Sequence, residues 1–471
     1  MRLREFIHKA KRFGELVGES IRGTEHDFTQ IRLSKAILLL AVPMILEMVM
    51  ESVFAIADIW FVSHLGDEAI ATVGVTESLN TIVYAIGFGL SIAITALVSR
   101  RIGGKEPERA SRAAGQAIVV TVIISVILAI PGAIHAEDIL LLMGLSPEMA
   151  SEYSSYTAII LGSNTIVMLL FVNNAIFRSA GDAALSMKVL WLANILNIIL
   201  DPCLIFGWGP FPELGIKGAA IATSTGRGVA VVWQLWLLFR GNGRVKVRKQ
   251  HLIPSASEIG KLLNLSWSAI LQNLIATASW VVLMRIMAQF GSEVLAGYTI
   301  AIRILMFCLL PSWGISNAAS TLTGQNLGAG RPDRAEKAVW TTGKVNVALL
   351  GIISIVLVIW PDVFIRFFTS QEGVISAGAE GLRIISYGMI AYGLGMVMHQ
   401  AFNGAGDTRT PLVLNLISFW IIEIPLAWFL AVSINMQEFG VFYAVLIAES
   451  TLTLLGVSLF RKGRWKNQKI D

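Results

Sequence analysis

The sequence predicts an all-α integral membrane protein whose twelve transmembrane helices form two pseudo-symmetric six-helix bundles. Three observations predict it. Of the 471 residues, 55% are hydrophobic and only 15% charged, with a mean hydropathy of +0.68; a soluble chain carries roughly a quarter charged residues. Apolar stretches recur along the whole length, each long enough to cross a ~30 Å hydrocarbon core. Sliding the chain by 225 residues lays one half on the other almost without gaps.

The spans are read at 34–62, 71–99, 113–134, 153–173, 187–207, 218–239, 262–288, 296–323, 338–360, 381–401, 411–432 and 439–460. Strands of a closed barrel would be shorter and alternating. Helices remain, because backbone groups in lipid must bond within their own segment. Residues 1–33 are an N-terminal segment without the apolar run of a cleaved signal. In it Leu3, Phe6, Ile7, Ala10 and Phe13 share one side of a cationic helix suited to a membrane surface; a solvated tail is the alternative. The first lobe is expected over 34–240, a basic linker over 241–258, the second lobe over 259–460 and a tail over 461–471. Cys203 and Cys308 lie in apolar segments and read as small core residues.

Basic residues set the orientation. Thirty-one of the 37 Lys and Arg fall in alternate segments: 1–35, 100–112, Arg178 with Lys188, 240–261, 331–344, Arg409 and 461–469. Both termini are therefore expected in the cytoplasm, with the chain multi-pass in the cytoplasmic (inner or plasma) membrane. Loops lying near anionic lipid account for the net charge of +5 without a nucleic-acid partner.

In the repeat, Ile45-Leu46 falls on Ile270-Leu271, Gly89-x-Ser91 on Gly314-x-Ser316, and Gly103 on Gly328. Pro107-x-Arg109-Ala110 falls on Pro332-x-Arg334-Ala335, and Phe177-x-x-Ala180-Gly181-Asp182 on Phe402-x-x-Ala405-Gly406-Asp407. Each unit holds six spans, so both point the same way, related by an axis along the membrane normal. Transporters of this design place substrate between lobes that expose it alternately.

Ionisable groups inside spans cost about 2.5–3.5 kcal/mol each on the mild insertion scale, which marks them as functional candidates. Glu47, Glu51 and Asp58 form one stripe on the first span, with Pro43 one turn earlier able to kink it. Asn194, Asn197 and Asp201 share a face of the fifth span. Asp58 and Asp201 fall at similar depth. Ionised together they repel, so the pair is expected to hold a coupling ion: either H⁺ on one carboxylate, or Na⁺ with neutral oxygens from Asn197 and Thr223. A structural network with Arg227 is the alternative. The positions 225 residues beyond Asp58, Asn197 and Asp201 are Leu283, Ile422 and Leu426, so the second half has lost this constellation and the cation site is expected in the first lobe alone. Its own polar insertions are Gln272, His399, Glu423 and Glu449. His399 and Glu423 read as a second titrating group or substrate contact, or as satisfied core residues.

These residues resemble the multidrug and toxic compound extrusion (MATE) transporters over nearly the whole chain. The likeness rests on Pro43 followed by Asp58-Ile-Trp-Phe-Val-Ser-His-Leu-Gly66, the turns Arg178–Asp182 and Asn403–Asp407, Asn197-x-x-x-Asp201-Pro202, and the stretch Leu214–Thr223. The resemblance implies two bundles forming a V, no cofactor, and monomeric efflux of varied, often cationic organic compounds in exchange for H⁺ or Na⁺. It implies an amino-lobe cation site at Asp58, Asn197, Asp201 and Thr223, and cavity positions at Glu51, Tyr156 and Asn174. Gln272 and His399 are expected at the substrate cavity too, and stand where some members carry acids. That favours the branch resembling the DNA-damage-inducible and archaeal exporters. Glu51 is acidic where a neutral amide is expected.

Three rivals remain. A lipid-linked-oligosaccharide flippase of the same superfamily would typically have fourteen spans and a basic cavity. A membrane-embedded enzyme would need a catalytic constellation, and the sequence has no HExxH or GxSxG motif. A passive channel fits the duplicated design poorly.

Overall fold

A computed structural model of the chain describes residues 2–23, 26–241 and 243–470, with backbone alone for residues 2–10 and 13. The side chains of Leu3, Phe6, Ile7, Ala10 and Phe13 thus lie outside the described residues. No strand occurs among those described. The helices are α1 (Arg2–Arg22), α2 (Leu33–Ser63), α3 (Asp67–Gly103), α4 (Pro107–Ile134), α5 (Ala136–Leu142), α6 (Pro147–Gly162), α7 (Asn164–Ala180), α8 (Ala183–Ile205), α9 (Ile216–Arg240), α10 (Ala256–Met287), α11 (Ser292–Gly328), α12 (Pro332–Ile359), α13 (Pro361–Arg366), α14 (Glu372–Tyr387), α15 (Met389–Ala405), α16 (Arg409–Asn415), α17 (Ile424–Trp428) and α18 (Glu438–Arg461).

Among the described residues, ten stretches are long and apolar enough to cross a membrane, α6 with α7 counting as one. An eleventh is the pair α14–α15, bent by 56° at Gly388. Helix α9 completes the twelve; its 25 residues carry Lys217, Arg227 and Gln234, which lower its hydropathy. Helices α3 and α11 run to 37 residues each, or ~55 Å, so they outreach the apolar spans read from sequence and project beyond the hydrocarbon.

The duplication extends to irregularities that hydropathy does not register. The α6/α7 break at Ser163 and the α14/α15 break at Gly388 are 225 residues apart, as are the short helices starting at Ala136 and Pro361. The eleventh span breaks the symmetry. It winds as π-turns over Leu416–Glu423 and Phe429–Ser433, on either side of α17, where α8 is a regular α-helix. Pro425, lacking an N–H, disturbs the hydrogen-bond ladder there.

The Ala-Gly-Asp turns are built alike. Gly181 and Gly406 take left-handed φ of 99° and 85° and end α7 and α15; a side chain is strained at such angles. Asp182 then caps α8 by accepting from the Leu185 N–H at 3.0 Å, and Asp407 accepts from Thr410 N–H at 3.2 Å.

The lobes meet through reciprocal close contacts. A Cβ on Gly103 would strike the Gln325 carbonyl, and one on Gly328 would strike that of Arg100. Gly89 abuts Ile270, and Gly314 abuts Ile45. Arg100 donates to the Ala405 carbonyl at 3.3 Å, while its repeat mate Gln325 donates to that of Ser179 at 2.8 Å. Ala36, Leu40 and Met44 pack on Ile315, Ala318 and Leu322. Every described hydrogen bond between the lobes lies toward their basic ends. The lobes are thus joined on the side that carries the termini, and among the described residues no ion pair links their opposite ends.

Helix α2 passes unbroken through Pro43. Proline deprives the carbonyl four residues back of its helical donor. Here that carbonyl is Leu39's, and it accepts from Ser20 Oγ of α1 at 3.4 Å. The terminal helix is therefore docked on α2 rather than solvated along its whole length. Glu19 adds contacts of 2.7 Å to both Lys35 and His26.

Candidate cation site in the amino-terminal lobe

The stripe of acids on α2 faces α7, α8 and α9, and each acid meets a different environment. Glu47, 2% exposed, pairs with Arg178 of α7 at 2.8 Å and accepts from Ser186 at 3.1 Å. Asn174 lies 3.5 Å from the same carboxylate and accepts from Gln234 at 2.7 Å. Glu51 accepts from Asn194 at 3.0 Å and lies 3.6 Å from Arg227. The guanidinium also sits over the Phe54 ring at 5.3 Å. The acid at a position expected to be an amide thus has its own counter-ion.

Asp58 and Asp201 differ from these two. Neither has a guanidinium or ammonium within ion-pair distance among the described residues. Asp201 is fully buried. It lies one helical turn after Asn197, so both point the same way from α8. The amide of Asn197, oriented to satisfy both its ends, donates to Asp201 Oδ2 at 2.9 Å. Its oxygen accepts from the Thr223 hydroxyl at 2.9 Å and from the Thr223 N–H at 3.0 Å. Close approach of α8 to α9 at Gly226, where a Cβ would meet the Ala193 carbonyl at 2.7 Å, makes this reach possible. Asp58 acts electrostatically on Asp201. It stands five residues before the end of α2, and Asp201 four before the end of α8, so both lie ~6–8 Å below the helix ends. Asn197, Asp201 and Thr223 thus form one hydrogen-bonded set; Asp58, at the same depth, also feels Glu77 of α3 and Arg227, and Arg227 itself stands 3.6 Å from Glu51.

The other singled-out residues are less open than a cavity surface. Tyr156 is 6% exposed, within an apolar cluster with Val62, Ile205 and Ile216. Gln272 is buried, donating to the Thr408 carbonyl at 2.6 Å and to Asn403 at 3.3 Å, and His399 Nε2 lies 3.2 Å from Gln272 Oε1. Cys203 and Cys308 are free and half-buried. No cluster of three or more His, Cys, Asp or Glu arranged to hold a metal occurs among the described residues.

Sequence reasoning missed the Glu47–Arg178 pair, because Arg178 reads as a loop charge. The signal was in the repeat: positions 47, 174 and 178 correspond to 272, 399 and 403, so Glu47–Asn174–Arg178 is matched by Gln272–His399–Asn403.

Comparison with known proteins agrees with this architecture. Residues 43–203 and 268–429 match the MatE family, one segment in each lobe. The chain is 26% identical to the "Probable multidrug resistance protein NorM" of Thermotoga maritima, over 93% of this chain and 94% of that one. It is also 26% identical to the "FAD transporter" of Shewanella oneidensis, over 85% and 89% of the two chains. A solved MATE structure in complex with MaD3S superposes with a TM-score of 0.88 at 23% identity, covering 95% of this chain and 100% of that one. An outward-facing MATE transporter of the MOP superfamily gives 0.87 at 23% identity, covering 94% and 98%. Two segments spanning most of both lobes, on a twelve-helix duplicated frame, establish that this chain belongs to the MatE family and is a MATE membrane transporter, not an enzyme.

Proposed function

We propose that the chain is a secondary active antiporter that exports small, often cationic organic compounds by alternating access in exchange for H⁺ or Na⁺. It would work as a monomer in the cytoplasmic membrane, with both termini inside. The observation that carries this reading is the Asp201–Asn197–Thr223 arrangement at the depth of Asp58: acids in the amino-terminal lobe that form no ion pair among the described residues. The relatives named for multidrug resistance support the choice of substrate class. Joining of the lobes at their basic ends suits an outward-facing state.

Entry of the ion at Asp58 and Asp201 would neutralise the pair, relax α2 near Pro43 and contract the amino-lobe cavity, releasing substrate outward. The Asn197 amide turns an N–H rather than its oxygen to Asp201, which favours a proton over Na⁺. Moving one charge against 100 mV costs ~2.3 kcal/mol, and one entering H⁺ recovers the same amount. One-for-one exchange with a monovalent compound is then driven by ion concentration alone. The test is uptake of a fluorescent organic cation into proteoliposomes, with H⁺ and Na⁺ gradients imposed separately. A response to the H⁺ gradient is expected; uptake indifferent to both gradients would reject the coupling.

A further inference from the structure

The carboxy-terminal lobe holds two acids that neither the amino-lobe site nor the lobe contacts use. Glu423 ends the first π-turn of the eleventh span, is 2% exposed, and its Oε2 has no hydrogen-bond partner. Such turns recur at functional sites. Glu449 on α18 is 7% exposed and forms no ion pair among the described residues. Glu423 precedes Ser433 by ten residues and Glu449 follows Glu438 by eleven, which places both ~15–16 Å from the same ends of their helices.

They sit in an apolar core that includes Leu283, Leu305, Ala427 and Val445. Ser279 of α10, Tyr298 of α11 and Tyr392 of α15 are the polar side chains that interact electrostatically with them. Tyr298 is 2% exposed and its hydroxyl, too, is unpartnered. Its ring packs 5.8 Å from that of Phe442, two turns before Glu449 on the same face of α18. Among the described residues, no basic side chain forms an ion pair with either acid. Arg285 of α10 and Arg303 of α11 are exposed, Arg383 of α14 pairs with Glu380, His399 of α15 bonds Gln272, and Arg461 at the end of α18 lies over Trp340.

Two unaccompanied anions in such a core are costly, so a positive charge has to travel with them. The oxygens named beside the two acids belong to carboxylates, phenols and one hydroxyl, groups that share O–H···O bonds well. We propose that Glu423 and Glu449 form a second proton-binding pair, in the carboxy-terminal lobe, that carries an additional H⁺ in each exchange cycle. The proton bonds to a carboxylate oxygen from water on one side of the membrane; that O–H bond breaks toward water on the other side, and nothing else changes. The repeat supports the placement. The positions 225 residues earlier are Ile198 and Ser224, each one residue past Asn197 and Thr223. The pair therefore occupies the same two helices of its lobe as part of the amino-lobe site.

The proposal rests on the antiport reading for the direction of proton flow, and it changes the charge balance. A second proton entering against one monovalent cation makes the exchange move one net charge, so 100 mV alters equilibrium accumulation by about 50-fold. The test uses full-length protein in proteoliposomes, ethidium as the probe, and a membrane potential of about 100 mV. Wild type is expected to respond about 50-fold, while Glu423→Gln and Glu449→Gln still exchange ethidium but ignore potential. An unresponsive wild type, or variants that keep the full response, overturns the proposal. Should the variants not transport, infrared titration of the same proteins decides. A protonated-carboxyl band that titrates with pH and is missing from the variants supports the pair; a band unchanged in them, or unmoved by pH, overturns it. Failure of the amino-lobe reading would appear separately, as coupled exchange that survives Asp201→Asn.

Discussion

Glu47 of α2 and Arg178 of α7 pair at 2.8 Å in the amino-terminal lobe, and the two matching positions of the other lobe hold the neutral contact of Gln272 with Asn403 at 3.3 Å. The same geometry is thus built once with charges and once without. In both lobes it ties the first helix of the bundle to the Ala-Gly-Asp turn, and in both a third residue, Asn174 or His399, leans on the same side chain. The charged version is a structural tie, which separates Glu47 from the acids left without basic partners.

Removing one member strands the other. Breaking a buried pair costs about 3–5 kcal/mol, whereas replacing both members by a neutral pair costs far less. Glu47→Gln and Arg178→Asn should each lower the melting temperature markedly in detergent. The double variant, which copies the carboxy-terminal lobe, should recover most of the loss. Additive losses in the double variant would mean that the two side chains do not depend on one another.

Helix α1 is held on α2 by Ser20 and Glu19. The Lys35 ammonium bonded to Glu19, aided by His26, holds this carboxyl below the ordinary glutamate range. A lowered value makes the stabilisation fully present above that range and removes it as pH falls through the folded-state value. The Glu19 contribution to the docking of α1 should therefore be lost in acid, on the order of pH 4 and below. Hydrogen exchange of the Glu15–Arg22 amides, compared between wild type and Glu19→Gln, reads this directly. The variant should show the loosened state at neutral pH, and Ser20→Ala should loosen the helix by about 1 kcal/mol.

Gly103 lies against backbone of the other lobe with no space for a Cβ. Gly103→Val should wedge the lobes apart on their basic side. Spin labels at Arg112 and Lys337, both exposed on that side, should report a longer or broader distance distribution than in wild type. An unchanged distribution would mean that the glycine contact does not govern closure.

The spans, their pairing and the common face of Asn197 and Asp201 were legible because composition and helical period carry them. The breaks at Ser163 and Gly388 and the π-turns were not, since hydropathy averages over a window and is blind to backbone dihedrals. The partners of Glu47 and Glu51 were hidden for another reason: which of several buried acids receives a guanidinium depends on helix rotation and distance. Arg227 was weighed as a partner for Asp58 and Asp201, yet it lies against Glu51. Tyr156, Asn174 and Gln272 read as cavity groups by position, and packing buried all three.

The central claim is that Asp58 and Asp201 carry the coupling ion. Gradient-driven transport of a fluorescent organic cation by Asp58→Asn and Asp201→Asn, in proteoliposomes beside wild type, tests it most directly. Both variants should insert, remain monodisperse and lose gradient-driven transport, whereas normal transport by both would contradict the account.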